Sequence, residues 1–519
     1  MSSADAVRLP STIGVLGAGQ MGAGIAQLAT QTGARTLLYD PDPAARERGR
    51  SQIAAGLDRL TAKGRLDAEE RDAALARVVA ISEIAELAPC GLVIEAAPER
   101  LDLKRDLLQQ VAAAVAPDAV IATNTSSLSI TEIAVSIPGP ERVVGLHFFN
   151  PAPVMRLVEV VAGLATAAPA LAVARAVGEA MGKHVIDATD IAGFLVNRVN
   201  RPFFLEALRV LQERIATVEQ IDRIMRLGGG FRMGPFELMD LIGIETNHAV
   251  AESFLRQTYG EPRYRPSPIA AQLIAAGRLG RKTGVGWYAY PEGGGPPVRE
   301  PDPPRPEGGG GDGRLVVVLG DTPVAADLRG AAEQAGFAIG DGGTQQDAWL
   351  VLDAGRRPGA GTGPRAVLVD GVSLHRCAPH AAGFGAFGPL ADAGLVEVTR
   401  TPLTEPLAIE RLQQFVHALG KCSEPVSDGP GLVLARIVAC VINEGAFLIG
   451  EGGGSPDDVD TGLELGLNYP RGPIRWADLV GGARVLDLLD GLADERREER
   501  YRAAPRLRAR VAIGARLAG

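Results

Sequence analysis

Apolar and polar residues alternate in two different ways along the chain. Over the first 190 residues, short apolar runs are separated in most cases by longer stretches with helical periodicity; the runs are Ile13–Leu16, Thr36–Tyr39, Leu92–Ile94, Ala119–Ala122 and Val143–Phe149. Strands that alternate with helices build a parallel sheet that is covered on both faces. We therefore predict a doubly wound α/β domain at residues 1–190.

The pattern then becomes helical. Gly193–Glu213 is a long amphipathic candidate, and Val218–Leu227 follows it. Thr217 and Gln220 have the spacing of a capping box at the start of that second helix. The sequence therefore predicts a separate all-α domain over residues 191–291.

A linker follows the helical domain. Residues 292–313 are rich in glycine and proline, a composition that does not hold a packed element. Strand-like runs return at Leu315–Leu319, Trp349–Leu352 and Ala366–Val369, and a second helical region closes the chain.

The two halves of the chain are related. Asp190–Arg198 is similar to Asp428–Arg436, which lies 238 residues later, and Leu157–Val160 matches Leu395–Val398 at the same offset. The offset also pairs Glu206 with Glu444, Asp222 with Asp460 and Asp240 with Asp478. We interpret this as a tandem duplication. The second copy then consists of a reduced, degenerate α/β domain at residues 314–427 and a helical domain at residues 428–519.

Composition narrows the function classes. At 519 residues the chain is long enough for several cores, and its net charge of −9 argues against a nucleic-acid partner, which needs a basic face. The four cysteines are scattered without the spacing of a metal site, as is typical of a reducing compartment. Because neither a secretory signal nor a membrane-spanning stretch is visible, we expect a cytoplasmic protein without a metal cofactor or a membrane partner.

A glycine-rich turn opens the first domain. It follows a strand and begins a helix, and the next strand ends in Asp40, which is the Rossmann context for a dinucleotide. Asp40 is placed to bind both ribose hydroxyls and would repel a 2′-phosphate, so the predicted cofactor is NAD rather than NADP. The residues of the turn that we expect at the cofactor are Gly17, Gly19, Gln20, Met21 and Gly22.

Polar residues follow the carboxyl ends of the predicted strands, where open α/β sheets bind ligands. His147 stands in an otherwise apolar strand, and Glu159 is the charged residue of the run Leu157–Val161, which returns after a turn. A carboxylate in such a run needs a partner, and the nearest predicted candidate is His147. The pair suits alcohol oxidation, because the imidazole accepts the hydroxyl proton while the carboxylate orients it and stabilises its charged form.

Five blocks of the sequence resemble the signatures of the L-3-hydroxyacyl-CoA dehydrogenase family. In order, they are Asn124-Thr-Ser-Ser-Leu, Gly145-Leu-His-Phe-Phe-Asn-Pro, Leu157-Val-Glu-Val, Gly193-Phe-Leu-Val-Asn-Arg and Met233-Gly-Pro-Phe-Glu-Leu. The resemblance covers about residues 10–290. It implies NAD-dependent oxidation of a 3-hydroxyacyl-CoA, with His147 as the general base and Glu159 as the group that orients it.

The resemblance implies roles for further residues. Ser126 and Asn197 match residues that hydrogen-bond the reacting oxygens of the substrate. Lys63 matches a basic residue near the CoA phosphates, whereas Gly56 stands where the family has a serine, which weakens that part of the expected CoA contact. The positions that match NAD contacts of the family are Asp40, Glu99, Lys104, Asn150 and Lys282.

The second copy lacks most of this set. The offset pairs His147 with Gly385 and Asn197 with Ala435, and it leaves Glu397 alone in the place of the glutamate. This arrangement resembles the bacterial family members with a repeated helical domain, including those of phenylacetate catabolism. The resemblance implies 3-hydroxyadipyl-CoA or 3-hydroxybutyryl-CoA as the substrate.

Single-copy members of the family associate through their helical domains. We therefore expect the two helical domains of this chain to pack on each other as an intrachain pseudo-dimer, and a further homo-oligomer stays possible. A dicarboxylic acyl chain would need a cationic residue, for which Arg201 and Arg232 are candidates.

The sequence leaves two alternatives open. The first is a dehydrogenase of a related 3-hydroxy acid that carries no CoA, against which Lys63 argues. The second is a non-enzymatic nucleotide-binding scaffold, which would have no need of the four predicted catalytic residues Ser126, His147, Glu159 and Asn197.

Overall fold

The computed structural model describes most of the chain, namely residues 8–293, 295–356 and 363–519. Residues 1–7, Gly294 of the predicted linker and residues 357–362 of the predicted second α/β domain lie outside the described residues. The chain forms two compact units. The first unit comprises the chain up to Arg198 and residues 453–467, and the second comprises residues 199–452 and 468–519.

The first unit contains an eight-stranded sheet. Its strands are β1 (Thr12–Leu16), β2 (Arg35–Tyr39), β3 (Val78–Ile81), β4 (Leu92–Glu95), β5 (Val120–Thr123), β6 (Val143–Phe148), β7 (Leu157–Ala162) and β8 (His184–Thr189). They lie in the order β3-β2-β1-β4-β5-β6-β7-β8, and neighbouring strands are parallel except β6 and β7. The inner strand β1 is buried along its whole length, as expected of a sheet covered on both faces. The α/β prediction for this part of the chain is confirmed.

Apolar periodicity did not predict two strands, β3 and β8, which lie at opposite edges of the sheet. The strand β3 is a run of only four residues, Val78–Ile81, which is too short to be told from part of a helix by its apolar character. The edge strand β8 is partly exposed, and polar side chains replace part of its apolar pattern. In β8, His184, Asp187 and Thr189 are exposed, which leaves too few apolar positions for a strand signal.

Helices connect these strands and continue into the second unit. Those between the strands are α1 (Gln20–Gln31), α2 (Pro43–Ala62), α3 (Ala68–Ala76), α4 (Leu101–Ala114), α5 (Ile130–Ala134) and α6 (Ala168–Ala180). The next helix, α7 (Val196–Gln212), begins three residues later than the predicted start at Gly193. Gly193 and Phe194 adopt positive φ angles of 71° and 51°, so a tight turn precedes the helix.

The second unit begins with a helical region. After α7 come α8 (Val218–Arg223), α9 (Pro235–Ile242), α10 (Ile244–Gln257) and α11 (Pro268–Ala275). The predicted capping box is confirmed, because the Thr217 hydroxyl accepts from the backbone N–H of Gln220 while the Gln220 side chain accepts from the N–H of Thr217. None of the helices in the described residues has both the length and the apolar character needed to cross a bilayer.

A second sheet, of seven strands, lies in the second unit. Its strands are β9 (Leu315–Leu319), β10 (Ala338–Gly340), β11 (Leu350–Asp353), β12 (Arg365–Leu368), β13 (Ala382–Gly385), β14 (Leu395–Thr399) and β15 (Cys422–Pro425). They lie in the order β10-β9-β11-β12-β13-β14-β15, and β13 and β14 are antiparallel. This order repeats that of the first sheet, except that the described residues include no counterpart of β3.

The helices of the second sheet are α12 (Pro323–Gln334), α13 (Leu374–Cys377) and α14 (Pro406–Ala418). The chain closes with α15 (Leu434–Gly450), α16 (Pro456–Leu467), α17 (Pro473–Val480), α18 (Gly482–Arg496) and α19 (Pro505–Ala512). Of these, α16 belongs to the first unit. The predicted helical domain at residues 428–519 is therefore divided between the two units.

Two glycines let α16 approach the first sheet closely. A Cβ atom on Gly462 would lie 3.0 Å from the side chains of both Leu195 and Val196. A Cβ atom on Gly466 would lie 2.8 Å from the side chain of Leu157 in β7. The C-terminal half of the chain thus supplies a helix that packs against β7 and against the start of α7.

We predict that Gly462→Leu destabilises the first unit by about 1–3 kcal/mol, because an added side chain in a packed interface forces its neighbours to move. Differential scanning calorimetry of the full chain measures the effect. Gly330→Leu is the matched control, since a Cβ on Gly330 of α12 would meet nothing within 4 Å. Equal unfolding temperatures for the two variants would contradict the packing described for α16.

Candidate active site

The glycine turn between β1 and α1 forms an open cradle. Gly17 has a φ of 95°, and a Cβ there would lie 2.7 Å from the carbonyl oxygen of Ala96. A Cβ on Gly22 would lie 1.8 Å from the carbonyl oxygen of Gly17, so this glycine lets the helix pack on the turn. By contrast, a Cβ on Gly19 would meet nothing within 4 Å, which leaves room for a ligand at the N-terminus of α1. Such a cradle fits the pyrophosphate of a dinucleotide.

Asp40 is fixed beside this cradle at the end of β2. One carboxylate oxygen accepts a hydrogen bond of 2.9 Å from the backbone N–H of Ala18, and the other accepts one of 3.0 Å from the N–H of Asp42. Gln20 and Met21 begin α1 on the other side of the turn. The structure thus brings the predicted ribose ligand and the predicted pyrophosphate cradle together.

Lys104, a predicted NAD contact, is buried in an ion pair. Its Nζ donates to Glu95 Oε1 at 2.7 Å and to the carbonyl oxygen of Ala97 at 3.2 Å. The Lys104 and Glu95 side chains are 1% and 0% exposed. Glu99 Oε2 lies 3.4 Å from the same Nζ. The sequence analysis did not predict this buried pair. Glu95 is the last residue of β4, and its partner Lys104 lies in the next helix, α4.

Glu99 organises the loop after β5. Its Oε1 accepts hydrogen bonds from Thr125 Oγ1 at 2.6 Å and from the backbone N–H groups of Ser126 and Ser127 at 2.9 and 3.0 Å. Burial alone would raise the pKa of Glu99, but the charge of Lys104 and these hydrogen bonds outweigh it and lower the pKa. Glu99 therefore stays ionised and holds Ser126 in place.

His147 and Glu159 face each other across the antiparallel pair β6–β7. His147 Nδ1 lies 2.6 Å from Glu159 Oε2, and their side chains are 6% and 0% exposed. The rings of Phe149 and Phe194 lie 4.6 and 5.8 Å from the imidazole and shield it. Because Nδ1 is engaged by the carboxylate, Nε2 is the nitrogen left to exchange a proton with a substrate. The sequence-based pairing of these two residues agrees with this geometry.

The other oxygen of Glu159 makes contacts that the sequence did not reveal. Oε1 accepts from the backbone N–H groups of Leu195 and Val196 at 3.1 and 2.9 Å. These N–H groups belong to the turn before α7 and to its first residue, where no helical partner exists. Glu159 therefore fixes both the imidazole and the start of the helix that carries Asn197.

The structure places the remaining predicted residues as follows. Ser126 and Asn197 are half-buried, on the loop after β5 and in the first turn of α7. Asn150 and Lys63 are exposed, after β6 and at the end of α2. Lys282 lies in the second unit, paired with Glu245 of α10.

Gly56, where the family has a serine, faces the protein interior. A Cβ on Gly56 would lie 2.0 Å from Gln27 Oε1 on α1. This side of α2 packs against α1 and is therefore not available to a ligand.

The second sheet contains the counterpart of this strand pair. Glu397 in β14 is 3% exposed and faces Gly385 of β13, in the place of a histidine. Its two oxygens accept from the backbone N–H groups of Val433 and Leu434 at 2.8 and 3.3 Å. The glutamate thus keeps its bonds to the start of the next helix without a base beside it. The sequence signal for this helix-anchoring role is that Glu397 is present although glycine replaces the histidine opposite it.

In the residues that the structure describes, no cluster of His, Cys, Asp and Glu could hold a metal ion.

Comparison with known proteins matches two family models. The NAD-binding domain of 3-hydroxyacyl-CoA dehydrogenase matches residues 12–191, and the C-terminal domain of the same enzyme matches residues 193–290 and 431–516. The chain is 36% identical to the 3-hydroxyadipyl-CoA dehydrogenase of Escherichia coli K12 over 506 residues, which cover 97% of this chain and 98% of that protein.

Solved structures give the same result. The 3-hydroxybutyryl-CoA dehydrogenase of Escherichia coli K12 is similar with a TM-score of 0.82 and 35% identity, over 97% of this chain and 98% of that chain. The (S)-3-hydroxybutyryl-CoA dehydrogenase of Ralstonia eutropha is 41% identical with a TM-score of 0.53, over 54% of this chain and 99% of that chain. The shorter enzyme thus corresponds to about half of this chain.

We predict that Glu397 makes stability fall as pH rises. Burial raises the pKa of Glu397 from 4.5 to about 7, although the two backbone hydrogen bonds lower it in part. The folded state therefore holds a proton that the unfolded chain releases between these values, so the free energy of unfolding decreases over that range. Glu397→Gln removes this titration.

Thermal unfolding of the wild type and of Glu397→Gln at about pH 5 and about pH 8 measures the effect. The variant is expected to gain stability relative to the wild type at the higher pH. A difference between the two proteins that is the same at both pH values would refute the assignment.

Proposed function

Since the chain belongs to the 3-hydroxyacyl-CoA dehydrogenase family, and is an NAD-dependent oxidoreductase of 3-hydroxyacyl-CoA thioesters, we propose that His147 and Glu159 are its catalytic pair. The observation that carries the proposal is the 2.6 Å contact between His147 Nδ1 and a carboxylate that is fully buried. A contact of this kind fixes the tautomer and leaves Nε2 free to act as a base.

The proposed reaction removes two hydrogens from the substrate, a proton from the 3-hydroxyl group and a hydride from C3. NAD supplies the hydride acceptor when it is bound. His147 Nε2 takes the proton of the 3-hydroxyl as the hydride leaves C3, so that the C–O bond becomes a carbonyl. Glu159 stabilises the imidazolium that results, and Phe149 and Phe194 limit the access of water to the ring.

The glycine turn and Asp40 are proposed to hold NAD. The open space at Gly19 supports a pyrophosphate there, and the fixed carboxylate of Asp40 supports a ribose contact. Glu99 is proposed to contact NAD and to position Ser126. Lys104 is proposed to act on the cofactor site through Glu99, because the Lys104 amine is itself buried. Asn150 and Lys282 remain proposed NAD contacts on the family resemblance.

Ser126 and Asn197 are proposed to hydrogen-bond the reacting oxygens of the substrate, and Lys63 to bind near the CoA phosphates. The exposure of Lys63 is compatible with that role, because a CoA phosphate lies at the protein surface. Relatives that are named for 3-hydroxyadipyl-CoA and 3-hydroxybutyryl-CoA support both acyl groups as candidates.

The second half of the chain is proposed to be an inactive duplicate. The repeated strand order and the two matches to one C-terminal family model support a tandem duplication. The second copy has Gly385 where the first has its base, and Ala435 where the first has Asn197. On this proposal the enzyme has one active site, and the duplicate contributes packing such as that of α16.

The proposed pseudo-dimer of helical domains is supported by ion pairs within the second unit. Arg436 of α15 is fully buried and contacts Glu206 of α7 at 2.6 Å and Glu213, which directly follows α7, at 2.8 Å. Arg263 contacts Glu444 of α15 at 2.6 Å. Buried pairs of this kind are costly to break, so the parts of the two helical domains that lie in the second unit are proposed to pack as one body. A cytoplasmic location is proposed on the four cysteines, all of which are free.

Oxidation of NADH with acetoacetyl-CoA, and then with free acetoacetate, tests the proposed activity. We expect turnover with the thioester and little with the free acid. Equal turnover of both would favour a dehydrogenase of acids without CoA, and turnover of neither would favour a nucleotide-binding scaffold.

We predict that His147→Gln lowers kcat by about 10²–10⁴-fold, the usual loss when a general base is removed. The affinity for NADH, measured by fluorescence titration, is expected to stay near that of the wild type, because the glycine turn is untouched. A kcat close to that of the wild type would rule out His147 as the base.

We also predict that Asp40→Ala shifts the enzyme towards NADP. The substitution removes a carboxylate that favours the ribose hydroxyls and repels a 2′-phosphate. The ratio of kcat/KM for NAD to that for NADP should fall by about 10-fold or more, since a charge-assisted hydrogen bond contributes about 1.5–3 kcal/mol. An unchanged ratio would remove Asp40 from the cofactor site.

A further inference from the structure

Lys183 carries a buried amine that the proposed mechanism does not use. It lies directly before β8 in the first unit and is 8% exposed. Its Nζ donates hydrogen bonds to the carbonyl oxygens of Ala152 and Met155, at 2.6 and 2.7 Å. Burial lowers the pKa of Lys183 to about 8, which leaves the amine mostly charged at pH 7. A charged donor makes stronger hydrogen bonds than a neutral one.

Both acceptors belong to one turn, residues 150–155, which lies between β6 and β7. Within this 150–155 turn, the N–H group of Met155 bonds to the carbonyl oxygen of Pro151. A carbonyl oxygen that is removed from water needs a donor inside the protein, and Lys183 supplies one to each of its two acceptors. The lysine therefore fixes the backbone of the turn.

The 150–155 turn also packs against α1. A Cβ atom on Gly24 would lie 2.9 Å from Pro153 Cδ and 3.3 Å from Ala152 Cβ, so a glycine permits this approach. Gly24 stands four residues after Gln20, where α1 begins at the glycine turn, and four residues rise about 6 Å along a helix. The 150–155 turn thus meets α1 about one helical turn from the proposed pyrophosphate cradle.

Asn150 is the first residue of this turn and is exposed. It follows β6, the strand that carries His147, by two residues. Its side chain is therefore accessible to a ligand, while the turn behind it is held by Lys183 and lies against α1. A proposed NAD contact on a loop is positioned only as well as the backbone that carries it.

A second lysine makes the same kind of contacts in the second sheet. Lys421 donates to the carbonyl oxygens of Leu390 and Ala393, the latter at 2.6 Å. These three residues stand 238 positions after Lys183 and its two acceptors, the offset that relates the two halves of the chain. Holding this turn is thus a structural task that both sheets share.

The surroundings of the second turn differ at the cofactor side. Gly388 takes the place of Asn150 at the same offset, so this turn presents no side chain there. The N-terminus of α12 is capped by the Thr322 hydroxyl, which accepts from the N–H of Ala325 at 3.2 Å. By contrast, α1 begins at Gly19 without a side-chain cap. The lysine of the first unit therefore holds a turn beside an open cradle, and that of the second unit does not.

We propose that Lys183 is a positioning residue for the cofactor: it holds the 150–155 turn against α1 and so places Asn150 beside the NAD that binds at the glycine turn. The lysine acts through the backbone and contacts neither NAD nor the substrate. The inference rests on the proposed function, since it requires NAD at the glycine turn and Asn150 as one of its contacts.

The test measures the Kd of NADH by fluorescence titration, and kcat and KM for NADH with acetoacetyl-CoA, in the wild type, K183M and K183Q. Loss of a charge-assisted hydrogen bond should raise the Kd and KM of K183M by about 10-fold or more. Its kcat at saturating NADH should stay within about 3-fold of the wild type, because His147 and Glu159 lie on the strands and not on the turn. K183Q keeps a donor without the charge, so it should change the same constants in the same direction by a smaller factor.

K421M is the matched control, because it removes the corresponding two hydrogen bonds from the second turn. K183M and K421M should both lower the unfolding temperature, but K421M should leave the Kd of NADH within about 2-fold of the wild type, as expected of a distant site. Unchanged Kd and KM in K183M and K183Q, or an equal rise in K421M, would overturn the inference and leave the proposed function intact.

Hydrogen exchange of the wild type decides the matter where neither Lys183 variant folds. Saturation with NADH should slow exchange at residues 151–155 and leave residues 389–393 unchanged, whereas the same response of both turns would overturn the inference. A wild type that binds no NADH would instead overturn the proposed function and, with it, this inference.

Discussion

The structure of the site depends on one buried carboxylate. Glu159 is fully removed from water, so each of its oxygens must be compensated by a donor inside the protein. One oxygen binds His147, and the other binds the N–H groups of Leu195 and Val196. The side chain therefore links a strand pair to the turn that begins α7. The register of β6 against β7, the tight turn before α7 and the packing of α16 all serve to keep these three donors in place.

The second sheet contains a buried glutamate that makes only one of these two kinds of contact. Glu397 keeps the backbone hydrogen bonds at the start of α15 and has glycine in the place of the histidine. A buried glutamate at this strand position can thus hold the start of a helix without a histidine beside it, whereas the proposed catalysis needs the base as well. On the proposed duplication, the comparison of the two strand pairs indicates which residues serve the substrate.

Much of this arrangement could be predicted from the sequence. The glycine turn, the inner strands and the pairing of His147 with Glu159 follow from local patterns, because they depend on residues that are close in sequence or in neighbouring strands. The edge strands β3 and β8 did not follow, since β3 has only four residues and β8 carries polar side chains at its exposed positions. The buried pair of Lys104 with Glu95 and the packing of α16 were also missed. Each depends on a tertiary contact between separate elements, which periodicity does not encode.

The central claim is that Glu159 serves catalysis and not only the anchoring of α7. The most direct measurement is kcat for NADH oxidation with acetoacetyl-CoA in Glu159→Gln, beside Glu397→Gln as the internal control. Our account predicts a loss of about 10²-fold or more for Glu159→Gln, because His147 loses the charge that stabilises its imidazolium, and little change for Glu397→Gln. A Glu159→Gln enzyme that folds and turns over within about 2-fold of the wild type would contradict it.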